Sequence, residues 1–242
     1  MFDLTGRTAL VTGSSQGIGK ELAKALSEHG AEVFAHGTHP SEKLKAAAQY
    51  IGTDKTATAD LFDANAAKSL FSQTGGVDIL ILNASVQYKR PWDGFSDEEV
   101  DNQINCNLKS TYYIIKEYLP YMKANGRGRI VTIGSVNQYN NHPELLLYGV
   151  TKAAQMKLVE GIAKATAKFG VTVNNIAPGA IYTPRNSEVL SDEAFLKKVN
   201  DSIPMGYVGD AKAMNGAALL LCSDEGSYIT GSEIIVDGGM HL

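Results

Sequence analysis

Short apolar runs alternate along the whole chain with longer stretches in which apolar residues recur every three to four positions. Thr8–Val11 is a run of the first kind and reads as a buried strand. Gly17–His29 is of the second kind: Ile18, Leu22, Ala25 and Leu26 make one helical stripe. The same alternation predicts strands over Glu32–Ala35, Thr56–Asp60 and Val77–Leu82, and helices over Ser41–Tyr50 and Asp63–Gln73. Val77–Leu82 is continuously apolar, as expected of a strand covered on both faces. One or two helices follow over Asp97–Lys123, then a strand at Arg129–Ile133 and a long helix at Leu146–Phe169 ended by Gly170. The remainder predicts a strand at Val171–Ile176, a helix at Ala211–Leu221 and a seventh strand at Glu233–Val236. This order predicts an α/β chain with one doubly wound parallel seven-stranded sheet and helices on both faces. No repeat or linker interrupts it, so residues 1–242 read as a single domain. Right-handed crossovers place the ligand-binding loops at the carboxyl ends of the strands.

Composition narrows the function without choosing it. The 242 residues are 44% hydrophobic and 20% charged, an ordinary globular balance. The 22 basic and 26 acidic residues give a net charge of -4, which offers no basic excess for nucleic acid or an anionic membrane. Cys106 and Cys222 lie far apart with no metal-ligand spacing. No metal site and no disulfide framework are therefore expected, and a cytoplasmic location is. The N-terminal residues lack the basic and apolar regions of a signal peptide, and no stretch approaches the ~18 apolar residues of a membrane span.

Chemistry enters at two places. Between the first strand and its helix lies Thr12-Gly13-Ser14-Ser15-Gln16-Gly17-Ile18-Gly19. Gly13 permits a tight turn, and Gly17 and Gly19 let the backbone approach a pyrophosphate and the sheet. The helix N-terminus offers free N–H groups and a positive dipole end. Farther along, Tyr148 and Lys152 are four residues apart at the start of the long helix and so share a face. A free tyrosine has a pKa of about 10, so acting near pH 7 needs ~3 units, or ~4 kcal/mol. A lysine charge ~5 Å away at an effective dielectric of ~20 supplies roughly 3 kcal/mol. An oxidised nicotinamide would add the rest, and the phenolate can then take a proton as hydride leaves carbon. Ser135, thirteen residues before Tyr148 at the end of the fifth strand, can hydrogen-bond the substrate oxygen.

Together these features resemble the short-chain dehydrogenase/reductase family in its compact, Rossmann-like form, over essentially the whole chain. The resemblance implies that Gly13, Ser15, Gln16, Gly17, Ile18 and Gly19 bind a dinucleotide. It implies that Asp60-Leu61 contacts adenine and that Asn83-Ala84 matches the family's Asn-Ala-Gly motif. Ser135, Tyr148 and Lys152 match the catalytic triad, with Asn107 completing a tetrad through a water relay to the lysine and Asn105 as the alternative. Pro178, Gly179, Ile181 and Thr183 match the segment that holds the nicotinamide carboxamide. Ser85 departs from the pattern, standing where the family has glycine. At the end of the second strand the resemblance places Gly37 where an NAD-selective member carries aspartate. No carboxylate there repels a 2′-phosphate, and Thr38 can donate to one, while Gln16 stands where phosphate-binding members often have arginine. NADP is the favoured cofactor and NAD the alternative. His36 and His39 read as solvent-facing loop residues, with partial charge toward the phosphate as the other reading.

Substrate contacts are expected from Val86–Phe95, from Asn137–His142 and from a lid over 183–205 with one or two helices. Their polar residues suit a small hydroxylated or anionic molecule: a sugar, polyol or sugar acid. A 3-oxoacyl-thioester reductase acting on an acidic carrier is the second enzyme reading, with Lys89-Arg90 and Arg127/Arg129 as its candidate basic patch. A non-catalytic dinucleotide sensor is the third, and intact Ser135, Tyr148 and Lys152 argue against it. The resemblance further implies a homotetramer.

Overall fold

The computed structural model describes residues 1–242. Strands β1 (Thr8–Val11), β2 (Glu32–Gly37), β3 (Thr56–Thr58), β4 (Ile79–Leu82), β5 (Gly128–Ile133), β6 (Val171–Pro178) and β9 (Glu233–Val236) form one sheet in the order β3-β2-β1-β4-β5-β6-β9. Every pairing is parallel. The strand order reverses between β1 and β4, so a crevice opens at their carboxyl ends. Helices α1 (Gly17–Glu28), α2 (Glu42–Ile51) and α9 (Asn215–Cys222) cover one face; α3 (Ala66–Thr74), α5 (Ser110–Ala124) and α6 (Leu146–Thr166) cover the other. The central strands show why their sequences are apolar without alternation. Ala9, Val11, Ile79 and Ile81 enter the first core, while Leu10, Leu80 and Leu82 enter the second.

Three features lie outside what periodicity reveals. The helical stretch after β4 is divided: α4 (Asp97–Ile104) runs into a π-helical turn at Asn105–Lys109 before α5 begins. A two-stranded sheet pairs β7 (Ile181–Tyr182) with β8 (Gly209–Asp210). Two-residue strands carry no readable period, yet this pair ties together the two ends of the segment holding α7 (Ser187–Leu190) and α8 (Glu193–Asp201). Finally, β6 runs two residues beyond its predicted end, so Pro178 closes the strand and Gly179 N–H donates to the Val236 carbonyl at 3.0 Å.

Candidate active site

The glycine loop is held from both neighbouring strands. Asn83, after β4, donates through Nδ2 to the carbonyls of Thr12 at 2.9 Å and Gly13 at 3.2 Å. Thr12 Oγ1 accepts from the N–H groups of Asn83 and Ala84 at 3.0 and 3.1 Å. A Cβ on Gly13 would press within 3.1 Å of Ala84 Cα, and one on Gly19 would run into the Asn83 amide. Gly17 takes a positive φ of 57°. Whereas Ser41, Ser96 and Asp192 cap α2, α4 and α8, Gln16 makes no side-chain cap on α1 and no acid lies in its first turn. The loop thus presents open backbone and an uncapped helix end to the crevice, the arrangement a dinucleotide pyrophosphate fits.

His36 corrects the reading of the two histidines. His39 is exposed, but His36 is buried, and its Nδ1 accepts the Gly13 N–H at 2.9 Å. Its own N–H donates to Ser14 Oγ at 2.7 Å. Burial pushes its pKa down to about 4, so the ring is neutral and brings no charge to a 2′-phosphate. It fixes the glycine loop instead. The sequence masked this because a histidine at a strand end is indistinguishable from a loop residue until the neighbouring strand is in place.

Ser135, Tyr148 and Lys152 meet at the carboxyl end of β5. Ser135 Oγ accepts from the Asn137 N–H at 3.2 Å and its side-chain amide at 3.3 Å, leaving the hydroxyl hydrogen free to donate. Tyr148 is buried. Burial raises its pKa; the Arg185 charge and the nearby polar groups of Ser135, Ser85 and Arg185 lower it, with burial prevailing. Lys152 Nζ lies 5.7 Å from the Tyr148 ring centroid and donates to the Ile133 carbonyl at 2.6 Å and Gln155 Oε1 at 3.2 Å. Burial, aided by Arg185, pushes its pKa down to about 7. The simple picture of a fully charged lysine beside the phenol therefore needs amending: near neutrality Lys152 is only partly charged, and Arg185 is the leading cation acting on Tyr148.

The π turn explains Asn107. Widening the helix by one residue brings its fully buried side chain against α6. Its Oδ1 accepts from Val86 N–H at 2.8 Å, and its Nδ2 donates to the Val86 carbonyl at 2.9 Å and Thr151 Oγ1 at 3.1 Å. Gln155 completes the link: it accepts from Lys152 and donates through Nε2 to the Asn107 carbonyl at 3.4 Å. Asn107, not Asn105, is thus the residue joined to the Lys152 helix.

A family model described as enoyl-(acyl carrier protein) reductase matches residues 13–241. The chain is 33% identical over 248 residues to gluconate 5-dehydrogenase of Gluconobacter oxydans, covering 99% of this chain and 96% of that one. The chain belongs to the short-chain dehydrogenase/reductase family. A crystal structure of 3-oxoacyl (acyl-carrier-protein) reductase from Agrobacterium tumefaciens C58 with NADP bound superposes with a TM-score of 0.95 at 37% identity, covering 98% and 95% of the two chains. Gluconate 5-dehydrogenase from Burkholderia cenocepacia, in complex with NADP and tartrate, gives 0.92 at 30% identity, covering 99% and 96%.

In this short-chain dehydrogenase/reductase the remaining expected residues lie in the glycine loop or beyond the carboxyl ends of the strands. Ser15, Gln16 and Ile18 follow Gly13 around the loop, Thr38 is exposed beyond β2, and Asp60 and Leu61 follow β3. Beyond Gly179, Ile181 enters the core, and Thr183 donates through N and Oγ1 to Asn186 Oδ1 at 2.9 and 3.0 Å. Four participants were not legible in the sequence. Gln155 sits one turn after Lys152, where a polar residue on a buried face was the available signal. Asn186 orients Thr183. Lys43, in the first turn of α2, donates to Gln16 Oε1, bringing a cation to the end of β2 that read as ordinary helix surface. Arg185 reaches back to Ser85, its Nη2 2.7 Å from the Ser85 carbonyl. Part of the polar segment after Ser135 is tied to β9: Gln138 Nε2 and the Tyr139 hydroxyl both donate to Glu233.

Proposed function

We propose that this family member is an NADP-dependent oxidoreductase that interconverts a secondary alcohol and a ketone on a small polar substrate of sugar, polyol or sugar-acid type. The convergence of Ser135, Tyr148 and Lys152 beside the glycine loop carries this reading. NADP, when bound, supplies the hydride acceptor or donor. Ser135 holds the substrate oxygen with its free hydroxyl hydrogen. Tyr148 Oη takes the alcohol proton during oxidation and returns it to the ketone oxygen during reduction. Lys152, with a pKa near 7, is poised to resupply that proton, and Gln155 and Asn107 hold it in place. Gly13, Gly17 and Gly19 admit the pyrophosphate. Asp60 and Leu61 face the adenine, Asn83 and Ala84 the ribose, and Thr183 the carboxamide. Lys43 supplies the attraction for a 2′-phosphate that the sequence reading lacked, and its lack of any carboxylate partner supports that role. The NADP-bound relatives support the same choice.

The whole chain acts as one NAD(P)-binding domain, with 183–205 as the substrate lid tethered by β7 and β8. A 3-oxoacyl-thioester reductase is the second reading, supported by the family model and by the Agrobacterium relative. Its expected basic patch is weak: Lys89 pairs with Glu144 and Arg90 with Glu99, while Arg127 and Arg129 stand at the opposite end of the sheet. A panel of sugars, polyols, sugar acids and acetoacetyl thioesters, read by nicotinamide absorbance, is expected to show turnover on a polyhydroxy substrate with NADPH or NADP+. Exclusive use of the thioester would replace the first reading, and tighter binding of NADH than NADPH would remove the cofactor assignment.

No helix is long and apolar enough to cross a membrane. Two buried free cysteines suit a reducing cytoplasm. A homotetramer is supported by the exposed Tyr112 and Tyr113, which form an apolar groove with Leu108, Ala154 and Leu158 along α5 and α6, and by the half-exposed edge strand β9. Light scattering at four times the 25.9 kDa chain mass is the expected result; a monomer would sink it.

A further inference from the structure

Arg185 differs from every other arginine of the chain. Arg7 and Arg129 pair with Asp224, Arg90 with Glu99 and Arg127 with Asp78. Arg185 has no carboxylate within 4.0 Å and is held by Ser85 alone. One donor reaches the Ser85 carbonyl at 2.7 Å, and both Nη atoms make only long contacts, 3.3 Å each, with the Ser85 hydroxyl. The planar fork of the guanidinium is therefore engaged through neutral acceptors, where a carboxylate would take two parallel charge-assisted bonds.

Its position matters as much as its missing partner. Arg185 follows Thr183 by two residues at the start of the lid segment and crosses the crevice to the loop after β4. The Arg185 charge and the polar groups of Ser85 and Ser135 lie close enough to Tyr148 to lower its pKa against burial. Lys152 hydrogen-bonds only the Ile133 carbonyl and Gln155, and neither it nor Tyr148 pairs with an aspartate or glutamate. A neutral polyol bound there leaves the positive charge without an anion; a hydroxy acid supplies one. Ser85, which stands where the family motif has glycine, provides the hydroxyl and carbonyl that brace the guanidinium.

We propose that Arg185, braced on Ser85 at the mouth of the crevice, binds a carboxylate of the substrate and makes the enzyme selective for polyhydroxy acids over neutral polyols. This rests on the dehydrogenase reading above and narrows its substrate class. Closing the lid on a carboxylate would exchange the Ser85 contacts for a bidentate ion pair, coupling recognition to closure over the reacting carbon.

The test compares kcat/KM for gluconate and for sorbitol in the full chain, in Arg185→Gln, in Arg185→Lys and in Ser85→Gly. NADPH affinity is measured separately by fluorescence titration. In Arg185→Gln the gluconate-to-sorbitol ratio is expected to fall about 100-fold, the loss usual when one partner of a hydrogen-bonded charge pair is removed. Arg185→Lys recovers part of that ratio, because it keeps the charge without the fork, and Ser85→Gly lowers it less than Arg185→Gln. Taking the ratio cancels any shared effect of Arg185 on Tyr148 or on folding. An unchanged ratio would overturn the proposal and leave Arg185 as an electrostatic aid to Tyr148. A comparable loss of NADPH affinity with the ratio intact would overturn it in favour of a cofactor contact. If the unmodified enzyme turned over acetoacetyl thioester but neither polyhydroxy compound, the underlying function would fail as well, a result distinct from both.

Discussion

Replacing Tyr148 with phenylalanine is expected to cut turnover about 10³-fold, in the range general acid–base catalysis contributes, while NADPH affinity changes by less than about 3-fold. The change removes one oxygen from a ring that is already 6% exposed, so packing is kept. What disappears is the group on which Ser135, Ser85 and Arg185 converge. No neighbour replaces it. Ser135 has the free hydroxyl hydrogen but an alcohol far too weak as a base, and Lys152 is turned toward the Ile133 carbonyl and Gln155. Steady-state rates on any accepted alcohol, with a parallel NADPH titration, decide the matter. Unchanged turnover would remove Tyr148 from the mechanism, and lost cofactor binding with normal chemistry would reassign it to the binding site.

Lys152→Met is expected to lose activity by a similar factor and, unusually for a buried residue, to change the stability of the cofactor-free protein little at pH 7. The amine is fully buried without a carboxylate, and its pKa falls from 10.5 to about 7. Between those values the unfolded chain holds a proton that the folded protein lacks. Stability owed to this group is therefore complete above pH 10.5, declines as the pH falls toward 7, and is lower below that by an upper limit of about 5 kcal/mol. Methionine removes the penalty. It also strands the Ile133 carbonyl and Gln155 Oε1, which offsets about 1–3 kcal/mol for each. Urea melts at pH 7 and pH 9 should show the unmodified protein gaining on the variant by about 2 kcal/mol. Parallel changes with pH would show that Lys152 is not the titrating group. Weaker NADPH binding by Lys152→Met would accompany the loss of rate, because Lys152 packs beside Tyr148 in the cluster proposed to hold the nicotinamide end.

These two residues separate what could be read in one dimension from what could not. The spacing of Tyr148 and Lys152 put them on one helix face, and the run through Ser135 put a hydroxyl at a strand end. Their energetics did not follow, because an estimate made at a fixed distance and dielectric contains neither the burial of Lys152 nor the arrival of Arg185 from a segment far along the chain. His36 shows the same limit: its partner is the Gly13 N–H in the loop after β1, and only the β1–β2 register brings them together.

The sequence by itself determined the parallel sheet, the succession of its seven main strands along the chain, the glycine loop and the spacing of Ser135, Tyr148 and Lys152, because each is written in local periodicity or in short fixed spacings. The tertiary structure decided the rest. It widened one helical turn to deliver Asn107 rather than Asn105, paired two-residue strands at the two ends of the segment holding α7 and α8, and brought Lys43 to Gln16 and Arg185 to Ser85. Those contacts join residues far apart in the chain, and their strength depends on burial and on the charges that share the crevice, quantities that exist only once the chain has folded.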